Sequence, residues 1–113
     1  MPQNQFTIQD EVLEASRTET SGATGDGRVK TATARAGELW VVVTAITGTA
    51  AFFFETSLDG TNFFEIGSIT GVTGISTKAI AFNRADQPLG TTIRVRWTVG
   101  TTVTFEVRMG RME

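Results

Sequence analysis

The 113-residue chain contains no cysteine, no histidine and no tyrosine, and only 2 prolines. Without cysteine there can be no disulfide framework, thiolate nucleophile, zinc–cysteine site or iron–sulfur cluster. Without histidine a Ser-His-Asp triad cannot be assembled, and the commonest transition-metal ligand is missing. No apolar run approaches the ~20 residues of a membrane-spanning helix. The stretch MPQNQFTIQDEVLEAS has no basic segment followed by an apolar block, so no secretory leader is expected. A net charge of −2, 40% hydrophobic and 19% charged residues describe a chain that folds. Its length leaves room for one core, so a single domain over 1–113 is expected.

What the chain has in abundance is threonine, 20 residues of it, set among valine, isoleucine and phenylalanine. β-Branched and aromatic side chains favour a pleated, half-buried surface. Strand patterns recur at Val29–Ala34, Leu39–Thr47, Ala51–Ser57, Thr61–Thr70, Ile75–Phe82, Thr92–Val99 and Val103–Met109, separated by glycine-rich turns. Phe6 and Ile8 alternate with polar residues, while Asp10–Ser16 fits either a strand or a short helix. This spacing predicts an all-β, antiparallel β-sandwich of about eight strands, jelly-roll-like or immunoglobulin-like. The N-terminal residues are expected to form a flexible arm. The polar stretch 17–28 (RTETSGATGDGR) offers little to bury and is expected to be an exposed loop.

Two hairpins can be drawn from parity. In FFFETSLDGTNFFEIG a three-residue turn, Leu58-Asp59-Gly60, pairs Phe54 with Phe64 and Phe52 with Ile66 on the core face. The outer face is then Phe53, Glu55, Phe63 and Glu65. Either a loop or the N-terminal segment covers these phenylalanines, or they form a docking patch for another protein or another copy. The last hairpin would turn at Gly100-Thr101-Thr102 and set Arg96 across from Glu106. Leu39–Ile46 (LWVVVTAI) is apolar on both faces, with Trp40, Val42 and Ile46 on one side. Such a strand is either covered twice within the domain or closed by a partner chain.

No cofactor or metal is expected. Asp26 and Asp59 read as turn residues, since calcium needs several convergent oxygens. Glu55 and Glu65 lie on a flat outer face without the cleft that would tune a catalytic carboxylate pair. Residues 1–76 carry nine acids and four bases, and 77–113 carry six bases and three acids. An acidic chain without interleaved aromatics on its basic positions argues against nucleic acid. A sugar platform would want exposed tryptophan or tyrosine, and Trp40 is the only candidate.

The segment AAFFFETSLDGTNFFEIGSITG, with Glu55, Thr56, Ser57, Asp59, Gly60, Phe63 and Phe64 in its hairpin, resembles small all-β virion proteins of tailed bacteriophages. The resemblance covers about a fifth of the chain. It implies a non-enzymatic virion protein, a capsid decoration (cement) protein or a head–tail component, localised to the virion. It also implies a major capsid or other virion protein as partner, and a homo-oligomer with a trimer favoured. No membrane partner is expected. The partner-binding residues expected are Phe53, Phe63 and Glu65 on the outer hairpin, with Phe6 and Ile8 on the arm. The alternative is a carbohydrate- or receptor-binding β-sandwich module from a tail fibre or a secreted protein.

Overall fold

A computed structural model describes residues 8–20, 27–30, 36–85 and 88–112. They form eight strands: β1 (Ile8–Thr20), β2 (Gly27–Lys30), β3 (Ala36–Thr47), β4 (Ala50–Ser57), β5 (Phe64–Val72), β6 (Ser76–Asn83), β7 (Thr92–Val99) and β8 (Thr102–Met112). One sheet has the order β1-β8-β3-β6, the other β2-β7-β4-β5. Every pairing is antiparallel. Consecutive strands alternate between the sheets except at β4–β5, which stay together. Stacked on one another, the two orders are those of a jelly roll, not of an immunoglobulin sandwich.

Alternation along each strand delivers the core. Leu39, Val41 and Val43 of β3 and Val103, Phe105, Val107 and Met109 of β8 point inward from one sheet. Phe52 and Phe54 of β4 and Ile93, Val95, Trp97 and Val99 of β7 meet them from the other. Phe105 lies edge-on to both Phe52 and Trp97, with ring centroids 4.9 Å apart in each pair. The indole Nε1 of Trp97 is buried and meets no acceptor among the described residues.

Four expectations are corrected. First, β7 and β8 are not a hairpin. They lie in opposite sheets, and the Gly100–Thr101 bend carries the chain across the core. Parity grouped their apolar residues correctly, because two strands facing each other across a core share inward sets just as hairpin partners do. Arg96 consequently bonds Glu55, and Glu106 pairs with Arg108 on its own strand.

Second, Arg17–Thr20 belong to β1 and not to a loop over 17–28; Gly27 and Arg28 belong to β2, and 21–26 lie outside the described residues. Arg17–Thr20 look loop-like because they belong to an edge strand with polar residues on both faces. Thr18 and Thr20 align with Thr104 and Thr102, and the two hydroxyls of Thr18 and Thr104 bond at 2.8 Å. Arg17 lies opposite Phe105, with its guanidinium 5.0 Å from the centroid of the Trp97 ring. Its bond to Glu14, with Glu19 on the other side, raises its pKa and holds the cation there.

Third, β3 carries a bulge between Val43 and Ala45. The extra residue reverses the face downstream, so Ile46 packs against the core and Ala45 is exposed.

Fourth, the β4–β5 connection spans 58–63 rather than three residues. Phe54 pairs with Gly67, Phe52 with Ile69 and Thr56 with Phe64, with a register shift between Phe54 and Glu55. Asp59 dictates the longer loop. Its Oδ1 accepts from the Ser57 hydroxyl and the Thr61 and Asn62 amides, and its Oδ2 from the Asn62 side chain. Gly60 adopts a φ of 77°, the left-handed value such a bend needs.

The wedge of Trp97 between the sheets sets the stability of the sandwich. Trp97→Ala is expected to cost about 3–5 kcal/mol by leaving a cavity. Trp97→Phe should cost markedly less, since it removes a buried N–H that meets no acceptor. Urea unfolding of both variants checks the order.

Candidate interaction surface

The outer face of the β2-β7-β4-β5 sheet is built around one carboxylate. Glu55 on β4 is in register with Arg94 on β7, and Phe53 with Arg96. Glu55 Oε1 accepts from Arg94 Nε at 2.7 Å, and Oε2 accepts from Arg96 Nε and Nη2 at 3.4 Å. Held this way, each guanidinium covers a ring. Arg94 Cζ lies 3.6 Å from the Phe63 centroid and Arg96 Cζ 4.7 Å from that of Phe53. Each such contact contributes about 0.5–2 kcal/mol, more as it is desolvated. With two arginines bound to it, Glu55 anchors this surface.

Phe53 and Phe63 therefore stand on the solvent side, as parity required, but half-buried beneath arginines of their own sheet. Among the described residues the cover comes from Arg94 and Arg96 of β7. Glu65 is exposed and lies opposite Glu55, while Phe53 lies opposite Ser68. Phe6 lies outside the described residues. Ile8 opens β1, paired with Met112 at the edge of the other sheet. The structure thus joins Phe53, Phe63 and Glu65 on one surface and sets the backbone of Ile8 on the opposite sheet.

Beside this surface the sandwich opens at one end. A cleft of about 520 Å³ is lined by Leu58, Phe64, Pro88 and Leu89, with Asn62 and Arg84. Phe64 shares the inward parity of Thr56 yet is 52% exposed, because at this depth it faces the cleft instead of the opposite sheet. Leu58 is 80% exposed. The β6–β7 connection is stitched beneath it. Gly90 N donates to Thr56 Oγ1 at 2.7 Å and Thr91 N to Ser57 O at 2.9 Å. A Cβ on Gly90 would lie 2.1 Å from the Ser57 carbonyl oxygen, so only glycine permits this approach.

The outer face of the β1-β8-β3-β6 sheet presents Trp40, 41% exposed, with its Nε1 bonded to Glu38 Oε1 at 2.9 Å. Its pairings place Val12, Arg108, Trp40 and Ala79 in one line across all four strands. Sequence reasoning left open whether β3 is covered on its second face. Among the described residues it is not.

Two consequences can be measured. Glu55→Ala removes the tie between Arg94 and Arg96 and is expected to cost about 2 kcal/mol in denaturant unfolding. Asp59 has its pKa held well below the ordinary carboxylate range, first by the Asn62 amide and then by the Thr61 amide and the Asn62 and Ser57 side chains. The folded pKa is the lower one, so its contribution is present above the ordinary value near 3.8 and fades as the pH falls below it toward the folded pKa. Thermal melts of the wild type and Asp59→Asn should differ at pH 7 and converge in acid.

No protein-family model matches the chain, and neither does any curated protein. Among solved structures, one from Bacillus endospore appendages, described as a family of disulfide-linked pili, superposes with a TM-score of 0.56 at 15% identity, over 99% of this chain and 94% of that one. A family 16 carbohydrate-binding module superposes with a TM-score of 0.48 at 16% identity, over 90% and 82%. At such identities what is shared is the fold, here two antiparallel sheets packed as a sandwich.

Proposed function

We propose that the chain is a non-enzymatic structural subunit that binds a larger protein assembly through the outer face of the β4–β5 hairpin. The observation that supports this most is the pair of arginine-capped phenylalanines, Phe53 and Phe63, tied by Glu55 and flanked by the exposed Glu65. Aromatic and arginine side chains dominate the energetics of protein interfaces. Rings and guanidinia already held in place lose little freedom on docking, which leaves more of the contact energy as affinity. The N-terminal residues around Phe6 and Ile8 act as a second contact. In its specific form the reading is a virion protein of a tailed phage, a capsid decoration protein on the major capsid protein, and it draws on the hairpin resemblance. Repetition over the capsid lattice would turn a modest affinity per copy into a large total.

The fold is common to many functions, so the surface carries this reading and not the likeness to other sandwiches. A second reading, a carbohydrate- or receptor-binding module, draws on the cleft with the exposed Phe64 at its wall.

Co-sedimentation with particles assembled from the major capsid protein of the same genome tests the proposal. The chain should pellet with the particles. Phe53→Ser combined with Phe63→Ser should abolish binding, and Glu65→Lys, at an exposed position that leaves the core intact, should weaken it. Unchanged binding by all these variants overturns the assignment. A glycan held in the cleft would instead be lost with Phe64→Ala and would be indifferent to Glu65→Lys.

A further inference from the structure

The four sheet edges are poorly suited to strand addition. β1 has two register shifts and turns Arg17 and Glu19 toward the core side, opposite Phe105 and Val103. β2 is only 4 residues long, and β5 is irregular at two places. β6 is regular, but Lys78 lies opposite the buried Val41 and so projects a charge from the inward face at the rim. Bulges, short strands and inward charges are the devices that keep edges from pairing. Association between copies must then use a face.

We infer that the open face of the β1-β8-β3-β6 sheet, centred on Trp40, is the contact between two copies of this chain, related by a two-fold axis along the seam between β8 and β3. The inference rests on the structural-subunit reading only in taking self-association as part of its role. The line Val12, Arg108, Trp40, Ala79 is self-complementary about that axis. Rotation by half a turn lays Trp40 of each copy on Arg108 of the other and Val12 on Ala79. Each copy then makes the same cation–π contact twice, as an isologous interface requires. The outward positions flanking this line are Glu38, Gly110 and Ala81 on one side and Val42, Glu106 and Thr77 on the other, so apart from the two carboxylates no long side chain flanks the contact. Glu38 already holds the indole nitrogen, so the ring is oriented before contact. Glu106, which binds Arg108 at 3.0 Å, lies one outward step along β8 and meets Val42 of the other copy. Four strands about 4.8 Å apart, seen face-on, offer roughly 500 Å² on each copy, about 1,000 Å² in all. That reaches the lower bound for a specific interface. A two-fold contact of this kind builds pairs and not trimers.

Sedimentation of the full chain over a concentration series tests this. The wild type should reach twice 12.2 kDa. Trp40→Asp should raise the dissociation constant by about 30-fold or more while circular dichroism stays unchanged. Because the chain has no cysteine, an Ala79→Cys chain mixed with a Val12→Cys chain should form a disulfide-linked pair. Either variant alone should not. Within one chain the two positions are three strand spacings apart, about 14 Å, too far to bridge. A monomer at every concentration, a dimer indifferent to Trp40→Asp, or Trp40 fluorescence that shifts when residues 1–7 are removed from a monomer would each overturn the inference. Particle binding by such a monomer would leave the structural-subunit reading standing.

Discussion

Phe105 holds the two layers together. It projects from β8 and meets Phe52 of β4 and Trp97 of β7 edge-on, so three rings from two sheets share one contact. All three are fully buried. Edge-to-face aromatic pairs contribute about 0.5–1.5 kcal/mol beyond the area they remove from water. Their larger role is geometric. The rings pin β8 of one sheet against β4 and β7 of the other, so β7 and β8, neighbours in sequence, face each other from opposite layers. The jelly-roll order follows, because a chain that crosses the core at nearly every turn can pair consecutive strands only where a loop stays on one side. The β4–β5 loop does so under the direction of Asp59.

Once the layers are set, the two outer faces differ in kind. On the β2-β7-β4-β5 sheet a single carboxylate positions two arginines over two phenylalanines, giving a rigid surface of mixed polarity. On the β1-β8-β3-β6 sheet a half-exposed tryptophan stands between Arg108 and Ala79, with its nitrogen on Glu38. One face offers charge and aromatic edge, and the other a half-exposed indole beside Arg108. Edges guarded by bulges and inward charges leave these faces and the cleft as the available contacts.

The jelly roll itself does not select among these uses. A two-sheet core tolerates almost any outer face, because alternation separates the residues that fold the chain from those that meet its surroundings.

Local alternation was enough to determine the all-β class, the approximate strands and most of the core, down to Phe52, Phe54, Trp97 and Phe105. It also placed Phe53, Phe63 and Glu65 on the solvent side of their hairpin. Parity is a property of neighbouring residues, so it is legible in a single sequence. Only the tertiary structure decided which strands share a sheet, since facing strands and paired strands show the same pattern. It alone decided that Thr44 sits at a bulge that turns Ile46 inward, that Phe64 ends at a cleft, and that Trp40 is left half-exposed among the described residues. The capping of Phe53 and Phe63 was equally hidden. It depends on Glu55 meeting Arg96, 41 residues away in the chain, and contacts at that separation are set by packing across strands, which no local pattern records.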